Sequence, residues 1–185
     1  FIQLNDVRLK GGFGMLAQNS ALDRSAQNHG KYLVQNLYTN GLWDAATISS
    51  IDARNGWVTA HTERPDLMGF TGSLPVDRAV SSGYAAVYVG EVVSTRYVVQ
   101  GDIYAGCLDT LLTSVFHRGA LLNTQLRDIG MSVSYSANGQ ALACVIDPAY
   151  LAANIGSNPS GWVGIYPAPG QSQVTTAMFG EIPDP

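Results

Sequence analysis

Charged residues are scarce in this sequence, and it contains no run of basic residues. They make up 13% of the 185 residues, about half the usual share, and the formal net charge is −4. Proteins that bind nucleic acid need a basic stripe that neutralises phosphates. We therefore expect no nucleic-acid partner.

Long apolar runs are missing as well. No stretch approaches the roughly 18 residues that a membrane-spanning helix needs, so we expect no transmembrane segment. Low charge, 20 glycines and many small polar residues are typical of exported proteins, and the chain starts at Phe1 instead of Met. These features predict an extracellular or cell-surface protein, which we expect to be a monomer.

Cysteine is limited to Cys107 and Cys144. Cys107 lies on the apolar face of a predicted helix, and Cys144 shares a predicted strand face with Leu142 and Ile146, so both point to the core. In an oxidising compartment this pair predicts one disulfide. The alternative is two buried free thiols that pack as small hydrophobic groups.

Several motifs with known chemistry are absent. The sequence contains no HExxH or CxxC metal motif, no GxSxG nucleophile motif and no glycine-rich phosphate loop after a predicted strand. Ser114 lies one helical turn before His117, a spacing that permits contact, but only Glu91 is available as an acid to orient that histidine. A serine hydrolase and a nucleotide-binding protein are therefore not favoured.

Hydrophobic periodicity predicts helices early and strands late. Ser20 and Asp23 resemble a capping box at the start of the first long helix, and Asn138-Gly139 is a strong hairpin signal. This order predicts an α+β fold with an antiparallel sheet. The predicted helices cover residues 20–37, 76–82 and 102–116, the predicted strands cover residues 129–135, 141–146 and 162–166, and residues 85–98 are predicted to be extended.

Three separated polar residues are the candidate site: His61, Glu91 and His117. Imidazole and carboxylate are ligands of Zn²⁺ and are also groups that transfer protons. His117 falls at the end of the predicted helix 102–116, where a helix C-terminus stabilises positive charge. The third histidine, His29, lies on an apolar helix face and is expected to be a core-edge residue that bonds to the backbone or to water. Glu63 is expected to be a solvated loop charge.

Six segments occur here in the order in which similar segments occur in the CAP superfamily (cysteine-rich secretory proteins, antigen 5, pathogenesis-related 1), in its bacterial secreted branch. They are residues 4–8 (LNDVR) with Gly11-Gly12, residues 20–33 (SALDRSAQNHGKYL), residues 60–62 (AHT), residues 90–91 (GE), residues 117–122 (HRGALL) and residues 129–133 (IGMSV). The resemblance covers residues 4–146. It implies an α-β-α sandwich with the sheet between helices, and a cavity formed by His61, Glu91 and His117.

Two positions depart from the family pattern. Leu111 replaces a tryptophan, and the fourth polar cavity residue of eukaryotic members has no clear match, since Ser114 lies in that region. An activity that needs the fourth residue is therefore in doubt. A zinc ion or another divalent metal held by His61, His117 and Glu91 is a hypothesis that follows from the resemblance.

Three functions remain open at this point. The resemblance implies a binding module for a small amphiphile, a lipid or a protein ligand. The alternatives are a metal-dependent extracellular hydrolase of peptidase type and a structural cell-surface module with a vestigial site. Proline-rich sequence after Tyr166 predicts a domain over residues 1–166 and an extension over residues 167–185 that leads to a further module.

Overall fold

The structure, a computed structural model, describes residues 1–39, 59–97, 106–172 and 174. The α-helices of this part are α1 (Ile2–Gly11), α2 (Ser20–Leu33), α3 (Pro75–Ser81), α4 (Cys107–Thr113) and α5 (Val115–Leu121). A π-helix, Val34–Thr39, continues α2, and a 3₁₀ helix covers Thr59–His61. The strands are β1 (Ala17–Gln18), β2 (Tyr88–Val89), β3 (Val92–Tyr97), β4 (Asp128–Tyr135) and β5 (Ala141–Tyr150).

Five strands form one sheet whose centre is the hairpin of β4 and β5. β5 pairs antiparallel with β4 on one side and with β2 and β3 on the other, while the two-residue β1 pairs parallel with β4. The predicted α+β class and the predicted hairpin around Asn138-Gly139 are confirmed. No strand forms over the predicted residues 162–166, where the Ile165 N–H donates instead to the Gly11 carbonyl.

Helices cover both faces of the sheet. On one face Ala143 and Val145 of β5 pack against Ala26 and Leu33 of α2. On the other face β5 contributes to the largest apolar cluster, which α1, α4 and α5 complete. This cluster contains Leu4, Leu111, Leu121, Cys144 and Ile146. The chain therefore has the α-β-α layering that the resemblance implies.

The N-cap of α2 lies one residue before the predicted cap, Ser20. Asn19 is the N-cap, and its Oδ1 accepts from the Ala21 and Leu22 N–H groups. The Asp23 carboxylate instead accepts from the Met131 N–H in β4, so it joins the helix to the sheet. Gly130 permits this approach, because a Cβ there would collide with the Leu22 carbonyl carbon.

The segment 102–116 does not form one helix. α4 ends at Thr113, the backbone of Ser114 is extended, and α5 starts at Val115. His117 is therefore the third residue of a helix, and the expectation that it lies at a helix C-terminus is wrong. Residue 98, the last of the predicted extended segment, and residues 102–105, the first of the predicted helix, lie outside the described residues. So do residues 173 and 175–185 of the predicted extension.

A disulfide joins the first residue of α4 to the middle of β5, so the predicted bond between Cys107 and Cys144 is confirmed. We expect replacement of both cysteines by serine to lower the free energy of unfolding by about 3–4 kcal/mol, because the bond constrains a long loop in the unfolded chain. Urea unfolding of the oxidised wild type and the double variant measures this difference. Equal midpoints would show that the bond contributes nothing to stability.

In the described part of the chain, no helix is both long and apolar enough to cross a bilayer.

Candidate functional site

The candidate site begins at a break in the pairing of β5. Val89 stands opposite Ala149 and Val92 stands opposite Ile146, so β2 and β3 pair with β5 in the same register. This register places Gly90 opposite Pro148 and Glu91 opposite Asp147. Pro148 has no N–H to donate, although its carbonyl still accepts from the Gly90 N–H. The ladder of backbone hydrogen bonds between β5 and its neighbour is therefore interrupted at Glu91.

Glu91 is buried and has two close partners. Its side chain is 1% exposed, its Oε2 accepts from Arg78 Nη2 at 2.6 Å, and its Oε1 lies 2.9 Å from His61 Nδ1. Because an ionised carboxylate only accepts hydrogen bonds, His61 Nδ1–H is the donor of the second bond. In the neutral ring, the Nε2 of His61 then carries the lone pair.

His61 reaches the protein surface, unlike its partner. It ends the 3₁₀ helix Thr59–His61, its side chain is 24% exposed, and its carbonyl accepts from Arg78 Nη2. A histidine whose Nδ1–H is held by a buried carboxylate has a fixed tautomer and ring orientation. His61 thus offers a basic, oriented nitrogen at the edge of a buried polar cluster.

Arg78 is the buried cation of this cluster. It lies on α3, whose first turn is fixed by Pro75 and by the Asp77 carboxylate, which accepts from the Leu74 N–H. The guanidinium also donates to the Gly72 carbonyl, and its Nε lies 3.8 Å from Glu63 Oε1. Sequence reasoning did not identify Arg78, because a charge on a short helix is usually solvated.

His29 and Glu63 form a second buried pair beside the first. His29 Nδ1 lies 2.9 Å from Glu63 Oε1, and its Nε2 lies 2.8 Å from the Ala60 carbonyl oxygen and 3.6 Å from Glu91 Oε1. The backbone contact expected for His29 is present. The expectation that Glu63 is a solvated loop charge is wrong, because its side chain is fully buried and also accepts from the Thr71 N–H.

The protonation of His29 follows from its neighbours. Both of its ring nitrogens face acceptors, a carboxylate oxygen and a carbonyl oxygen, so only the doubly protonated ring donates to both. The imidazolium and Arg78 then balance the charges of Glu63 and Glu91. This balance lets four ionisable side chains share a buried volume.

Glu91 and Asp147 are buried carboxyls with opposite shifts in pKa. Burial raises the pKa of Glu91, but His29, Arg78 and His61 outweigh that effect and lower it to about 2. Burial and the neighbouring Glu91 charge hold the pKa of Asp147 well above its usual range. Neither Asp147 oxygen makes a hydrogen bond of ordinary geometry to the described residues, and the raised pKa favours the protonated, neutral form of Asp147.

His117 lies on the other layer of the sandwich. Its helix α5 packs against β3, the strand that starts directly after Glu91, and its side chain is half-buried. The convergence of His117 with His61 and Glu91 stays a prediction. Ser114 is buried and donates its hydroxyl to the Thr110 carbonyl, so this proton is not directed at a histidine.

The arrangement of the side chains that could bind a metal ion bears on the zinc hypothesis. Among the described residues, no group of three or more His, Cys, Asp and Glu side chains is arranged to hold a metal ion. Both Glu91 oxygens are engaged by Arg78 and His61, so Glu91 does not fit a ligand role in this arrangement. Metal binding by His61 and His117 remains a prediction.

The fold is similar to two solved structures. An outer surface protein from Borrelia burgdorferi aligns with a TM-score of 0.51 and 17% identity over 81% of this chain and 89% of that chain. An extracellular protein containing an SCP domain from Bacillus anthracis str. Ames aligns with a TM-score of 0.52 and 18% identity over 77% of this chain. The alignment spans only 37% of the Bacillus protein.

No protein-family model matches the sequence, and no curated protein matches it either. The structural similarity therefore stands on the fold alone. At that level it confirms the resemblance that the sequence segments indicate: the chain has a CAP/SCP-like fold.

Proposed function

We propose that this SCP-type chain is an extracellular ligand-binding module whose ligand contacts His61 at the edge of the buried Glu91 cluster. One observation carries the proposal: a partly exposed imidazole is held by a fully buried carboxylate, which is itself paired with Arg78. The extracellular location is supported by the two similar structures, which are described as an outer surface protein and an extracellular protein.

The charge balance of the cluster indicates the chemistry of the ligand. Arg78 and the His29 imidazolium compensate Glu63 and Glu91, so the cluster has no uncompensated charge to offer. What it presents at the surface is the lone pair of His61 Nε2, a hydrogen-bond acceptor. The ligand group at this position is therefore an uncharged donor, such as the hydroxyl of an amphiphile or the N–H of a peptide loop.

A hydrolase is the second candidate, because the same pair has the geometry of an oriented general base. A carboxylate that fixes one imidazole nitrogen leaves the other to accept a proton from water. In the metal-dependent form of this hypothesis, His61 Nε2 and His117 would hold the metal, which would polarise a substrate carbonyl or activate water. A structural module with a vestigial site is the third candidate and predicts neither binding nor turnover.

Ring NMR signals of His61 distinguish these functions. Octyl glucoside below its micellar concentration is the probe for an uncharged hydroxyl ligand, Zn²⁺ is the probe for a metal, and a casein digest is the peptidase substrate. We expect octyl glucoside to shift the His61 signals of wild type and to bind at least tenfold more weakly to His61→Gln. In this variant the hydrogen bond that the ligand hydroxyl donates to position 61 is weakened and misaligned. Lys10→Gln, which changes an exposed side chain of α1, is the matched control.

Two results contradict the binding proposal. Octyl glucoside that leaves the His61 signals unchanged removes its main support. Casein cleavage by wild type that is lost in His61→Gln favours the hydrolase, and its dependence on Zn²⁺ and on His117 separates the metal-dependent form from a metal-free one.

A further inference from the structure

A cavity of about 500 Å³ lies beside α2, apart from the His61 edge. One stripe of α2 and the start of the π-helix form its floor, the loop 68–71 forms one wall, and the turn after β4 forms the other. Its volume lies within the range of roughly 300–1,000 Å³ that is typical of small-molecule sites. Residues that line it include Lys31, Tyr32, Val34, Met68, Thr71 and Tyr135.

The lining is mainly apolar and partly open to solvent. Tyr32 and Val34 are buried at the floor, while Met68 is 71% exposed and Tyr135 is 40% exposed at the mouth. Methionine adapts its shape to different partners, and an aromatic ring supplies a large apolar contact area. These walls suit the apolar body of a ligand.

Among the described residues that line the cavity, Lys31 is the one with a charged side chain. The chain contains only two lysines, and the other, Lys10, is paired with Asp6 at 2.7 Å. Lys31 Nζ donates to the amide oxygen of Gln27 at 3.3 Å, and within the described residues no carboxylate lies within ion-pair distance of it. Its ammonium group is therefore available to an anion at the rim.

Hydrogen bonds within the protein join the walls of the cavity. The buried Asn36 amide donates to the Tyr32 and Met68 carbonyls, both at 2.9 Å, and so joins the loop 68–71 to the end of α2. Glu63 Oε2 holds the other end of that loop through the Thr71 N–H at 2.6 Å. The floor includes the first residues of the π-helix Val34–Thr39, and such segments occur frequently at functional sites.

We propose that this cavity is a second binding site, for a small amphiphile with one anionic headgroup. The headgroup pairs with Lys31 at the rim, and the apolar body packs against Tyr32, Val34 and Met68. This site is separate from the His61 edge, and its occupation does not depend on that histidine. Glu63 contacts both His29 and the cavity loop, so the two sites share one buried carboxylate.

Decanoate and decanol are the probes, since they have the same chain length and differ in the headgroup charge. We expect calorimetry to show that Lys31→Gln binds decanoate about tenfold more weakly than wild type, while its affinity for decanol is unchanged. Lys10→Gln is the matched control and should bind both probes as wild type does. Ala137 is an exposed lining residue, so Ala137→Trp should block both probes and Ala137→Ser should block neither.

Two results would overturn the second site. One is decanoate binding that is absent from wild type or is equal in Lys31→Gln and Lys10→Gln. The other is decanoate binding that survives Ala137→Trp but is lost in His61→Gln, which would place the anionic amphiphile at the His61 edge and not in this cavity.

Discussion

Methionine in place of Arg78 is expected to lower the free energy of unfolding by about 3–5 kcal/mol, the cost of breaking a buried ion pair from one side. The guanidinium is fully buried and donates to Glu91 at 2.6 Å, so its loss leaves that carboxylate without its cationic hydrogen-bond donor. Arg24→Met is the matched control. Arg24 donates to the Ser82 carbonyl in an exposed setting, and its loss should cost less than about 1 kcal/mol.

Urea unfolding of the two methionine variants tests the difference. The double change Arg78→Met with Glu91→Gln should recover part of the lost stability, because the uncompensated charge is removed together with its partner. If Arg78→Met and Arg24→Met cost the same, or if the double change shows no recovery, the buried pair does not stabilise the fold.

Asparagine at position 147 is expected to stabilise the protein increasingly as the pH rises from 4 to 8. The folded protein holds a proton on Asp147 that the unfolded chain releases above the ordinary pKa of 3.8, so the stability of wild type falls as the pH rises above that value. Burial is the main cause, and the charge of Glu91 directly across the strands adds to it. Asparagine carries no titrating proton, so this loss disappears.

Glu91 has the opposite dependence on pH. Its folded pKa of about 2 lies below its ordinary value of 4.5, so its contribution is present above pH 4.5 and is lost as the pH falls toward 2. Glu91→Gln should therefore be less stable than wild type at pH 7, with a difference that shrinks on acidification. Asp109→Asn, which changes an exposed carboxylate, is the matched control.

Unfolding free energies at a series of pH values measure these three variants. A parallel pH profile for Asp147→Asn and wild type would show that Asp147 is ionised in the folded protein. The charge balance assigned to the cluster would then be wrong by one unit.

Local patterns predicted much of the fold. The apolar stripe of α2, the Asn138-Gly139 turn and the two core-facing cysteines each express a preference within a few residues, and each appears in the structure where the pattern placed it. The break between α4 and α5 was missed because the leucine stripe continues across Ser114. Periodicity detects a common apolar face, which two consecutive short helices can share.

The candidate site was predictable only in part. The segments around His61 and Glu91 identified two residues that are in contact in the structure. Arg78 and Glu63 were missed, because their burial depends on partners that are distant in the sequence and not on their own segments. Asp147 was also missed, although it stands opposite Glu91 once the register of β5 is known.

The tautomer of His61 tests the central claim most directly, namely that a buried, ionised Glu91 orients this histidine toward the surface. Ring ¹⁵N NMR at pH 7.5 reports which nitrogen carries the proton. We predict the Nδ1–H tautomer in wild type, with Nε2 unprotonated, and a mixture of both tautomers in Glu91→Gln. An Nε2–H tautomer in wild type, or identical spectra for the two proteins, would contradict the account.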